Sequence, residues 1–163
     1  MNLNSAKVAT LSASLVFLAA ASWAAVMHAS LEELLAQAEI VAVAETISVN
    51  QAMDGTQAQL RLVQVFKGPR AAGELVAVET QGGKVYINED EPSFHTMQMS
   101  LVFLQNDGSG HYRCVNQGDG MKEVSGKSIY PYHDNPGYSV DYKDYLKSLE
   151  AAAKAGEAQK PSA

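Results

Sequence analysis

His95, Met97 and Met99 alternate along the chain. In a strand, side chains at this spacing leave from one face. Imidazole and thioether suit Cu(I), so the pattern describes a three-ligand copper site, with Cys114 or Met121 as a further sulfur donor if the strands pair suitably. The competing reading makes Met97 and Met99 flexible gap-fillers at a barrel end and His95 a surface imidazole. Zinc fits less well: no second histidine stands at ligand spacing, and one cysteine excludes a multi-cysteine site.

Cys114 shares a strand parity with Tyr112. A nucleophilic thiol needs a base and an activating environment. His111 is three residues away and would face the other side, and His133 reaches Cys114 only through tertiary folding. A buried, inert thiol is therefore expected, and a thiol enzyme is the weakest functional reading. An exposed Cys114 would instead form an intermolecular disulfide in an oxidising compartment. The acidic run Glu89-Asp90-Glu91 lacks the alternating ligands and glycine turn of a calcium loop. No Gly-x-Ser-x-Gly or Ser-x-x-Lys pattern occurs. Gly82-Gly83 and Gly118-Asp119-Gly120 lack the helix and lysine of a phosphate loop.

Tyr130, Tyr132, His133 and Tyr138 form a polar-aromatic cluster around Pro131. Tyrosines offer large contact area with few rotamers to freeze, so these residues are a candidate interaction surface. In the alternative they lid the barrel and dock the last helix.

The elements that must hold these residues follow from composition and periodicity. The chain has 163 residues, a formal charge of −6 and 47% hydrophobic residues, which fits one domain with a sizeable core. An acidic balance argues against nucleic-acid binding, which needs a basic face to release counterions. Residues 1–24 read as a secretory signal peptide. Lys7 precedes an apolar stretch of about 14 residues, shorter than a membrane span needs. Ser22-Trp23-Ala24 places cleavage after Ala24, with Ala25 as a second choice. No cysteine near that point supports a lipid anchor. The mature chain is one charge more acidic, since Lys7 is lost and no acid is. The expected compartment is periplasmic or secreted, with no membrane span after cleavage.

Ser30 and Glu33 make a capping box before Leu31, Leu34 and Leu35, which predicts a helix over 31–37. Strands are predicted over 40–49, 58–66, 74–80, 84–88, 100–104, 111–115 and 121–124. Val41, Val43, Ile47 and Val49 share one parity and define a single buried face for the first strand. In the second, apolar parity switches from Leu60 and Leu62 to Val63 and Val65, which points to a bulge or to burial on both faces. Residues 88–93 form an acidic loop and 128–138 an irregular aromatic one. A helix over 140–155 places Tyr142, Tyr145, Leu146 and Leu149 on one face, with Gly156 as its stop.

Ser30–Val49, Leu62–Gly68 and Pro92–Leu104 resemble a group of small secreted bacterial domains of unknown function. These have an OB-like barrel of the netrin or tissue-inhibitor kind. The likeness spans roughly residues 30 to 125 and rests on packing patterns. His95–Met99 departs from the Gly-and-acid turn of that pattern, and the C-terminal helix lies outside it. The resemblance implies a fold and almost no chemistry.

The expected protein is mainly β: a small OB-like barrel with a short N-terminal helix and a C-terminal amphipathic helix. The barrel domain covers 25–138, the last helix 139–156 and a tail 157–163. The leading functional expectation is an exported, non-enzymatic binding or interaction module for a protein or small ligand. The second is a periplasmic Cu(I)-binding protein through His95, Met97 and Met99.

Overall fold

A computed structural model describes residues 28–53, 55–81, 92–132 and 137–158. The signal segment, the strand expected at 84–88, His133 and most of the tail lie outside the described residues.

The first helix, α1, runs Leu31–Gln37 with both capping-box bonds formed. The Glu33 amide donates to Ser30 Oγ at 3.2 Å, and the Ser30 amide donates to Glu33 Oε2 at 2.8 Å. Its last turn holds no basic residue. A lysine from the sheet does that work: Lys67 Nζ donates to the carbonyls of Leu35 and Ala38, each at 2.6 Å, where helix carbonyls otherwise lack partners.

Eight strands follow: β1 (Ile40–Gln51), β2 (Thr56–Lys67), β3 (Leu75–Thr80), β4 (Met99–Asn106), β5 (Tyr112–Cys114), β6 (Met121–Ser125), β7 (Ser128–Tyr130) and β8 (Val140–Asp141). The second helix, α2, spans Tyr142–Ala158. Strands β1, β2, β3, β5 and β4 pair in that order, and β4 returns to β1. This makes a small closed five-stranded barrel, compatible with an OB-like fold. Its pairs are antiparallel except β3 with β5, which is parallel through Val78 and Tyr112. The remaining strands continue outward from β4 as β6, β7 and β8. Among the described residues, no helix is long and apolar enough to cross a membrane.

Two cores share the central strands. One fills the barrel and includes Ala42, Leu60, Leu62, Val78, Val102 and Leu104. The other lies beneath the helices and includes Leu34, Val41, Leu101, Phe103, Ile129 and Leu149. Strands β1 and β4 contribute to both, which is why Ser100–Leu104 reads as a continuous apolar run rather than an alternating one.

That sharing corrects the single-faced reading of β1. Val41 and Val43 face the helices, but Ile40, Ala42 and Ala44 are equally buried, inside the barrel. A register shift between Thr46 and Ser48 then breaks the parity. Ile47 has no opposite residue in β2 and is 37% exposed, whereas Val49 packs on the barrel core. The irregularity read into β2 is present. Val63 and Phe66 are skipped in the pairing with β1. Beyond the first shift Val65 packs on the barrel core and Phe66 on the helical layer.

Gly68 ends β2 at φ +114°, and a Cβ there would lie 2.5 Å from the Glu39 carbonyl oxygen. Only glycine fits that close approach. The segment expected to be wholly irregular contains β7, whose Ile129 is fully buried under α2. The Asp141 carboxylate accepts from the amides of Lys143 and Asp144, at 2.9 and 3.2 Å, and so caps the start of α2. Gly156 lies inside α2 rather than stopping it. Tyr142, Tyr145, Leu146 and Leu149 all pack on the helical core, as the helical spacing predicts.

Candidate functional site

Cys114 lies in β5 and is buried with the barrel core. Side chains fill this interior from every wall, and Phe94 and Met121 join them.

His95, Met97 and Met99 occupy different local structures. Residues 95–98 form a turn, closed by the Gln98 amide donating to the His95 carbonyl at 3.0 Å. Met97 sits in that turn at φ +66° and is 80% exposed. The turn is fastened to β1 by bonds between Met97 and Thr46 and between Thr46 and Gln98, at 2.8 and 2.9 Å. Met99 opens β4, pairs with Glu45 and Val124, and packs on the helical core. A left-handed residue between His95 and Met99 ends the strand alternation that would have put the three on one face. His95 instead lines an open depression of about 440 Å³ with Val49, Asn50, Gln51, Phe94 and Thr96.

The aromatic cluster is assembled around an acid that composition and spacing did not single out. Asp119 sits in a 3-10 turn over Gln117–Gly120 and is buried. Its Oδ1 lies 2.8 Å from His28 Nδ1, and its Oδ2 accepts from the Ala29 amide at 2.9 Å. The His28 ring in turn stacks on Tyr132, with centroids 4.3 Å apart. The Tyr132 and Tyr138 ring centroids are 5.6 Å apart, with the rings tilted, and Lys122 Nζ lies 5.9 Å from the Tyr132 ring centre. Lys122 is only 3% exposed. Tyr130 is half-buried in β7 opposite Glu123. Tyr138, at 46% exposure, is the outermost described member of the stack. His133 is the one predicted surface residue outside the described set.

The electrostatics of this corner follow from its contacts. Burial disfavours the Asp119 carboxylate, but the Ala29 amide, His28 and Lys122 together outweigh it and hold the carboxyl below its ordinary value. Burial pushes the Tyr145 hydroxyl up to about 12, with a smaller push from Tyr132. Asp119 is thus ionised, and it fixes His28 and Ala29 against the 3-10 turn.

A pH-dependent stability follows. The folded pKa of Asp119 lies below the unfolded value, so its stabilisation is present above about 3.8 and is lost as pH falls through the folded value. Asp119→Asn should lower the unfolding free energy by about 2 kcal/mol at neutral pH, the scale of hydrogen bonds to a charged group. Urea unfolding of the two proteins at stepped pH should show the difference shrinking below about pH 3.8. A difference that persists unchanged in acid would assign the loss to shape rather than charge.

His28, Asp119 and Lys122 escaped sequence reasoning. Gly118-Asp119-Gly120 sets one acid between two glycines, and Lys122 is the one cation of the short mixed segment Met121–Ser125. Nothing local linked them to a histidine 91 positions earlier. No protein-family model matches the chain, and no curated protein matches it.

Proposed function

We propose that the mature chain is an exported, non-enzymatic binding module whose contact surface is the aromatic segment at Tyr130, Tyr132 and Tyr138. The observation that carries this reading is the stack from Asp119 through His28 and Tyr132 to the exposed Tyr138. A partner that docks on rings already fixed in place loses little side-chain entropy. Tyrosine supplies an apolar face and a hydroxyl on the same rigid group. The side chains filling the barrel favour an external surface over an internal ligand. The leader-like residues 1–24 support export.

Chemical crosslinking in the native exported fraction, followed by mass spectrometry, tests this. Tyr138→Ser should lose the captured partner while circular dichroism stays unchanged, because that ring is half exposed and outermost. Val63→Ser, at another exposed apolar position, should keep it. Equal capture by both variants would remove Tyr138 from the contact surface.

A further inference from the structure

Away from the aromatic corner, three potential metal ligands from one strand and one neighbouring turn converge. Glu79 is on β3, and Asp107 and His111 flank the turn between β4 and β5. One ligand atom from each lies within 4.8 Å of the others. Glu79 alternates with the barrel-core residue Val78, so it faces outward. The turn is clamped by the Asp107 amide donating to the His111 carbonyl at 3.1 Å. Gly108 and Gly110, at φ +85° and +96°, give it the backbone freedom to close.

We propose that Glu79, Asp107 and His111 bind one divalent transition-metal ion, Zn²⁺ by preference. His111 Nδ1 is 3.1 Å from Glu79 Oε1 and 3.1 Å from Ser109 Oγ. One imidazole with two carboxylates is a nitrogen and oxygen set that suits zinc, and three protein ligands leave a fourth position for water. The imidazole disfavours Ca²⁺ and Mg²⁺, which take oxygen ligands. The surrounding charge also fits. Arg113 Nε lies 3.8 Å from Asp107 Oδ2 and offsets one of the two acids, so the site keeps a net negative charge.

Neighbouring groups already orient the three ligands. Ser109 donates to Asp107 Oδ1 through its amide at 2.8 Å and its hydroxyl at 2.7 Å. The Gln57 amide nitrogen lies 3.1 Å from Glu79 Oε1 and 3.3 Å from His111 Nε2. Through these contacts Gln57 holds Glu79 and the His111 ring in position, an outer-partner role whose loss weakens metal sites by about 10–100-fold.

Competition of the mature full-length protein with a chromogenic chelator for Zn²⁺ tests the site. The expected result is one equivalent bound. Affinity should fall at least about tenfold in His111→Gln and in Glu79→Gln, by the measure of metal-site perturbations. His95→Gln should keep the wild-type affinity. Asp107→Asn provides a second ligand variant if either of the others fails to fold by circular dichroism. Absence of binding at millimolar Zn²⁺ would overturn the proposal, as would unchanged affinity in folded His111→Gln. Loss on His95→Gln instead would move the ion to the depression beside Phe94 and equally reject this site.

Discussion

Phe103→Ala should lower the unfolding free energy by about 3–5 kcal/mol, the range for emptying a large aromatic position in a closed core. Phe103 is fully buried in the layer between the sheet and the two helices. It sits mid-strand in β4, opposite Val41 of β1, and its carbonyl accepts from the Val115 amide at 2.9 Å. The backbone around the vacated space is thus tied on both sides and collapses little. Both helices lean on the same layer through Leu34 and Leu149. Urea unfolding followed by circular dichroism measures the loss directly. Val63→Ala, at a half-exposed position outside both cores, should shift stability by no more than about 0.5 kcal/mol. Equal effects at 103 and 63 would contradict the two-core arrangement.

Gly120→Ala carries the second large effect, about 3 kcal/mol or more. An added Cβ would lie 2.3 Å from the Val115 carbonyl oxygen, 2.6 Å from the Val115 amide nitrogen and 3.0 Å from the Cys114 carbonyl carbon. All three are backbone atoms, so no side chain can rotate away. Relief requires moving the 3-10 turn off β5, and that turn carries Asp119. The variant should therefore also loosen His28 and Tyr132, read as faster amide exchange at Ala29. Gly156→Ala is the contrasting case. Its Cβ would meet nothing within 4 Å inside a helix, and stability should rise by roughly 0.5–1 kcal/mol. Destabilisation at both positions would point to a general glycine effect rather than to this close approach.

These residues also mark where sequence reasoning reached and where it stopped. The capping box at Ser30 and Glu33 and the Leu149 face of α2 are local patterns, and both elements form as their spacing predicts. The parity switch in β2 revealed its bulges because a bulge alters the alternation of its own strand. Burial of β1 on two faces showed only as the unbroken apolar run Ile40–Ala44, which the larger Val41 and Val43 made read as an alternation. Ala42 and Ala44 are small, and their burial depends on a barrel interior closed by β4, more than fifty residues away. The one-face arrangement of His95, Met97 and Met99 was conditional on a strand, and residues 95–98 instead form a turn in which Met97 adopts a positive φ that its residue type does not announce. The polar sites were least legible. His28 with Asp119, and Glu79 with His111, are joined only by the folded chain.

The aromatic surface is most directly tested by a photoreactive amino acid placed at position 138, and separately at position 63, in the exported protein. Crosslinks to one reproducible partner from position 138 and none from position 63 are the predicted result. Crosslinks from position 63 alone, or the same partner from both positions, would contradict the assignment of the contact surface to the stack on Tyr132.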